Sequence, residues 1–121
     1  MTLRFEDLTA KERAWLCNGC GPKLLIPVDL VPEFVFHAAC ERHDFDYWRG
    51  GSESDRKAAD VRFRRAMLDA CQRCPGWWSR AWHRWLAWRY YTGVRWLGGR
   101  AFSYRERFGT REDLAREIAS A

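Results

Sequence analysis

A small all-α domain is predicted by three features of the sequence. Apolar residues recur at helical spacing, as in Ala59, Phe63, Ala66, Met67 and Ala70. Glycine and proline clusters punctuate the chain at Asn18–Pro22, Gly50–Ser52 and Cys74–Gly76. Five tryptophans, Trp77, Trp78, Trp82, Trp85 and Trp88, fall within twelve residues and share one helical arc of roughly 140°. At 121 residues the chain is read as one domain, 1–121, large enough for a single core.

The first helix is expected over about 9–17. Thr9 would be its N-cap and Glu12 the returning acid of a capping box. Asn18-Gly19-Cys20-Gly21-Pro22 is a turn by composition, and the apolar residues 23–31 are irregular. Pro32 is placed to begin a second helix, which should run to Arg49 and stop at Gly50-Gly51. Ser52 or Ser54 can cap a third helix over about 53–73, broken by Cys74-Pro75-Gly76. A fourth follows at about 77–92, with a further short helix expected near 94–104. Thr110, with Asp113 three residues on, opens a last helix to about 119.

The chemistry is concentrated in Cys40-Glu41-Arg42-His43-Asp44-Phe45-Asp46-Tyr47. Adjacent helix positions diverge by about 100°. His43 and Asp44 therefore serve two neighbouring subsites rather than one ligand. Helices joined by a short Gly-Gly-Ser turn pack antiparallel. If the turn centres between 51 and 52, facing residue numbers sum to about 103, which sets Asp60 opposite His43 and Arg56 near Tyr47. The same register puts Phe63 near Cys40 and Met67 near Phe36. A histidine held by a carboxylate is a general base. No serine or cysteine is paired with His43 as a nucleophile, which leaves water. Attack of water on an ester carbonyl needs a group to hold the oxyanion, and a metal can serve. Asp44 is a candidate oxygen ligand, and the Asn18–Gly21 turn offers an amide oxygen and carbonyls suited to calcium.

Cys40-x-x-His43-Asp44-x-x-Tyr47 resembles the active-site helix of the phospholipase A2 superfamily, in its bacterial and fungal secreted branch. Asp60-x-x-Phe63 resembles that branch's second helix, and Asn18-Gly19-Cys20-Gly21 its calcium loop. The resemblance covers about residues 17–71. It implies His43 as the base, Asp60 as its orienting partner and Tyr47 as a supporting hydrogen-bond donor. It further implies Ca2+ as cofactor, bound by the Asn18 side chain, the Gly19 carbonyl and the Asp44 carboxylate, and a Cys20–Cys40 disulfide. The loop departs from the family pattern at Pro22, and Asn18 stands where an aspartate would add charge. Residues 17–73 would then form the catalytic core, with 77–121 a basic aromatic extension.

Blander readings stand beside these. Asp60 could face Lys57 or Arg64 on the surface, Tyr47 could be a core residue, and Asn18–Gly21 could be an ordinary helix-ending turn. A zinc-stabilised binding module could use Cys17, Cys20, Cys40 and one histidine. His37 and His43 lie about 9 Å apart along one helix, too far to share an ion, and His37 reads as a core-edge residue. Cys71-x-x-Cys74 reads as buried thiols. A catalytically silent module of the same fold, binding lipid or a protein partner, is the other alternative.

Charge divides the chain. Residues 1–60 carry 8 Lys/Arg against 11 Asp/Glu, and residues 61–121 carry 13 against 5. Six arginines and no acid lie from Arg73 to Arg100. That half favours anionic surfaces. The tryptophan arc either packs into the core or combines core packing with a lipid interface. The expected partner is therefore an anionic phospholipid membrane surface; stacking on nucleic acid is the least favoured reading. Met1–Leu16 has charges throughout and no signal-peptide pattern. The expectation is a protein cytoplasmic as made: a cytoplasmic enzyme, a phage product released on lysis, or an effector exported by a route other than Sec.

Overall fold

The computed structural model describes residues 3–16 and 33–120. The predicted turn at Asn18–Pro22, the apolar stretch 23–31 and the helix start at Pro32 lie outside the described residues. Within them the chain forms α1 (Ala10–Leu16), α2 (Glu33–Arg49), α3 (Glu53–Gln72), α4 (Trp77–Leu97) and α5 (Arg111–Ser120). Short 3-10 turns occur at Phe5–Asp7 and Gly98–Arg100. Among the described residues there is no β-sheet, only an isolated bridge between Gly51 and Tyr104.

Local chemistry sets the helix starts. Thr9 Oγ1 accepts from the Glu12 N–H at 3.1 Å, and Glu12 Oε1 accepts from the Thr9 N–H at 2.8 Å. Ser52 and Asp55 form the same reciprocal box at the start of α3, which settles the choice between Ser52 and Ser54. Thr110 and Asp113 repeat it before α5. Each box satisfies amide donors that a helix start leaves unpaired.

Beyond residue 76 the structure departs from the sequence expectation. One helix of 21 residues replaces the two expected at 77–92 and 94–104. Gly93 costs only about 1 kcal/mol relative to alanine in a helix interior. The next residue, Val94, is buried against the core, so packing outweighs that cost. The chain leaves the α-helix at Gly98-Gly99 instead.

α2 is the central element and is covered on several sides. Phe36, Ala39 and Cys40 pack with Phe63, Met67 and Cys71 of α3 and with Leu86, Ala87, Tyr90 and Val94 of α4. On another side Phe45 packs with Leu3, Leu8 and Leu114. Tyr47 packs with Ala59 and Phe102. A helix buried this way carries apolar residues around most of its circumference, which explains why its face is hard to read from periodicity.

The tryptophans take the opposite side of α4 from the core. Leu86, Ala87, Tyr90 and Val94 face inward, whereas Trp77, Trp78, Trp82, Trp85, Trp88 and Trp96 are all exposed. The reading in which the arc is core packing is thereby corrected. Leu86, which follows Trp85 directly, belongs to the buried face. The smaller side chains fit the α2–α3 groove, where indole rings would overfill it. His37 lies on the surface, paired with Glu41 at 2.7 Å, rather than at the core edge. Cys71 and Cys74 are free and buried, as expected.

The α2–α3 turn is held by the C-terminal segment. Gly50 has φ 76° and Gly51 φ 125°. The Gly51 N–H donates to Ser103 O at 3.2 Å, the Arg105 N–H to Gly51 O at 3.1 Å, and the Ser103 N–H to Tyr47 O at 3.1 Å. A Cβ on Gly50 would collide with the Ser103 carbonyl oxygen. Gly50→Ala should cost about 2 kcal/mol or more in urea unfolding, because strain and collision add. Gly76 also has positive φ but open space around it. Gly76→Ala should cost about 1–3 kcal/mol from conformation alone, since φ 77° with ψ 151° is a region that essentially only glycine adopts.

Candidate active site

The register that puts Asp60 across from His43 is realised. His43 Nε2 lies 2.8 Å from Asp60 Oδ1, and Tyr47 OH donates to the same oxygen at 2.6 Å. Asp60 is wholly buried, and His43 and Tyr47 nearly so. The one-turn spacing of His43 and Tyr47 on α2 lets both reach a single carboxylate on α3. The His43 ring is stacked on Phe63 at 4.3 Å between centroids and lies 4.2 Å from the Tyr47 ring. Two aromatic neighbours and one hydrogen bond therefore fix the imidazole plane.

The other carboxylate oxygen engages residues that the two-helix register does not reach. Arg95 of α4 donates from Nη1 to Asp60 Oδ2 at 2.8 Å. Arg56 Nη1 lies 3.6 Å from the same oxygen and also donates to Val94 O at 3.0 Å. Glu53 ties the two guanidiniums together and accepts from Tyr104 OH at 2.6 Å. Hydrogen bonds from Arg56 and Tyr104 hold the Glu53 carboxyl down at about 2. The sequence gives one hint of this cluster, the expected nearness of Arg56 to Tyr47. Nothing local points to Arg95, which lies 35 positions from Asp60.

Burial alone would push the Asp60 carboxyl up. The hydrogen bonds from His43, Tyr47 and Arg95 outweigh it and hold its pKa below the usual value. Asp60 is thus an ionised acceptor, and a carboxylate without a proton can only accept. His43 Nε2 must then carry the hydrogen, which leaves Nδ1 as the nitrogen able to take a proton. Burial, reinforced by the bond to Asp60, drives the Tyr47 hydroxyl above its usual range, so it stays a donor.

Gly98 is a further requirement that the sequence reading missed. A Cβ there would collide with the Tyr47 hydroxyl. Its position just after α4 lets the chain pass against the ring, a use of glycine that only packing reveals.

Asp44 sits apart from this network, as adjacent positions on a helix dictate. Its carboxylate has no hydrogen bond or ion pair to another described residue. Burial, with Glu41 adding like charge, pushes its pKa up to about 7. A desolvated carboxylate with no cation paired to it among the described residues fits a hard oxygen-seeking ion such as calcium. The described residues contain no group of three His, Cys, Asp or Glu that could hold a metal. The other proposed ligands, Asn18 and Gly19, lie outside the described residues. Cys40 is disulfide-bonded, which withdraws it as a zinc thiolate and corrects the zinc reading that used it. Cys20, the partner implied by resemblance, also lies outside the described residues. An open cleft of about 670 Å3 runs beside Asp44 and Tyr47, with Ala14, Trp15, Leu16 and Trp48 on its walls.

A helical core that buries a histidine against an aspartate, with a second carboxylate one position along the helix, is consistent with the catalytic dyad of a phospholipase A2-type fold. The profile of the prokaryotic phospholipase A2 family matches residues 2–98, and the chain belongs to that family. The match extends past the residues 17–71 that carry the motif resemblance and runs through α4. No curated protein and no solved structure matches the chain.

Asp60→Asn should destabilise the protein by about 3 kcal/mol at pH 7, because it leaves Arg56 and Arg95 without their countercharge. The Asp60 pKa lies below the ordinary 3.8. Its contribution is therefore complete above about pH 5 and lost as pH falls through the lowered pKa. Urea titrations of wild type and variant should converge as the pH falls below the ordinary carboxylate range. Asp44 has the opposite sign. With a folded pKa of about 7, its penalty grows as pH rises from 3.8 to 7. In chelator at pH 8, Asp44→Asn should therefore be more stable than wild type by about 1–3 kcal/mol.

Proposed function

We propose that this protein hydrolyses an acyl ester of a glycerophospholipid, with water activated by His43 and with calcium as cofactor. The observation that carries the reading is the buried His43–Asp60 pair; an ionised Asp60 requires the hydrogen on Nε2, which leaves Nδ1 to act as the base.

In the reaction, His43 Nδ1 takes a proton from water as the oxygen attacks the ester carbonyl. Asp60 stabilises the imidazolium that forms, and Tyr47 and Arg95 keep the carboxylate ionised and in place. The tetrahedral centre collapses by breaking the acyl C–O bond. The leaving alkoxide recovers the proton from Nδ1, so one water and one ester give a fatty acid and a lysophospholipid. Calcium, when bound, polarises the ester carbonyl and favours its developing negative charge. Asp44 would hold it, with Asn18 and Gly19 as the further ligands. The apolar walls of the cleft beside Asp44 and Tyr47 suit an acyl chain. The excess of arginine in the second half of the chain supports an anionic lipid surface as the partner.

One observation supports a second reading, a catalytically silent module of the same fold. The Glu53–Arg56–Arg95 cluster gives Asp60 a structural task independent of His43.

Fatty acid release from mixed phosphatidylcholine–phosphatidylglycerol liposomes separates the two. Calcium-dependent release, abolished by chelator and lowered about 10²–10⁴-fold by His43→Gln, is expected. Undiminished release by His43→Gln would overturn the mechanism. Absence of release by wild type in calcium would favour the silent module. Calcium should also raise the melting temperature of wild type but not of Asp44→Asn.

A further inference from the structure

We infer that the outer face of α4 is a membrane-docking surface, on which the protein lies against an anionic lipid bilayer independently of calcium and of catalysis. Six tryptophans on this one helix are between 49% and 82% exposed. None of them is needed by the core, which α4 fills with Leu86, Ala87, Tyr90 and Val94. The helix has 21 residues, about 30 Å of length, and the exposed tryptophans run from Trp77 near its start to Trp96 near its end. A contiguous apolar strip of this kind marks an interaction surface.

The chemistry of the strip selects the occupant. Indole rings favour the boundary between headgroups and acyl chains, where the apolar ring is buried and the N–H stays hydrated. Arg84 and Arg89 are exposed on the same helix, and the Arg89 guanidinium lies 5.5 Å from the Trp85 ring centroid. No acid occurs between Arg73 and Arg100. Such a face attracts lipid phosphates. A second copy of the chain fits poorly, because apposed α4 helices would bring arginines together without a countercharge. Single-stranded nucleic acid fits poorly as well. Trp77 stacks on Trp78 at 4.2 Å and Trp82 on Trp85 at 5.3 Å, so one face of each ring is already covered. No described helix is long and apolar enough to cross a membrane; the arginines keep α4 in the interfacial plane.

The docking face deepens the proposed lipid hydrolysis and rests on it for the reason to meet a bilayer. α4 links the two, since Arg95 at its end holds Asp60. The binding itself is tested without turnover. Wild type and Trp82→Ser/Trp85→Ser/Trp88→Ser are sedimented with phosphatidylcholine–phosphatidylglycerol vesicles in chelator, after circular dichroism confirms equal helicity. Wild type should partition into the pellet with a blue shift of its tryptophan emission. The triple variant should bind at least tenfold more weakly. Arg84→Gln/Arg89→Gln should lose the preference for anionic over zwitterionic vesicles, and His43→Gln should bind as wild type does. Hydrolysis of a dispersed short-chain ester by the triple variant should be unchanged.

Equal vesicle binding by wild type and triple variant would overturn the inference. So would a wild-type dimer that the tryptophan substitutions dissociate, or tighter binding to a single-stranded oligonucleotide than to vesicles. Vesicle binding with no fatty acid release once calcium replaces the chelator would sink the proposed reaction and leave the docking face standing.

Discussion

The site is organised by one constraint, an ionised carboxylate with no access to solvent. Asp60 is 0% exposed. An unpaired charge in such a place would cost several kcal/mol. The fold meets that cost by directing donors from three helices onto two oxygens. His43 and Tyr47 come from α2, and Arg95 comes from α4, with Arg56 beside it on α3 itself. Orientation of the imidazole follows from the same arrangement. A histidine that must donate at Nε2 has only Nδ1 left for a substrate or a water.

This constraint also explains features remote from the histidine. The α2–α3 turn sets the register of the two helices, and its glycines let the C-terminal segment hydrogen-bond across it. Gly98 gives Tyr47 room to reach the carboxylate. Val94 contributes twice, with its side chain in the core and its carbonyl accepting from Arg56. α4 is therefore a wall of the active-site core as much as a carrier of surface tryptophans. The first part of the basic aromatic extension 77–121 is thus the third core helix, Trp77–Leu97.

Much of this is legible in the sequence. Capping boxes at Thr9, Ser52 and Thr110 are local signals, and each lies where the residues suggest. The His43–Asp60 pairing follows from a short turn and the helical repeat, because antiparallel register is arithmetic once the turn is located. The orientation of α4 was less legible. Its strongest apolar periodicity is the tryptophan arc, yet a weaker stripe of smaller residues enters the core. Hydrophobicity ranks the two faces the wrong way, since fit to the α2–α3 groove depends on volume. Arg95 was invisible for a related reason: an arginine in a basic run reads as surface charge until a buried acid is found beside it.

By itself, then, the sequence determined the helical class, most helix boundaries, the pairing of His43 with Asp60, and the basic character of the second half. These depend on spacing along the chain and on local hydrogen-bonding chemistry. Only the tertiary structure decided which face of α4 is buried, that Arg95 and Arg56 complete the shell of Asp60, and that Gly98 must lack a side chain. Those features depend on the packing of segments far apart in sequence, where shape and desolvation decide between residues that local pattern treats alike.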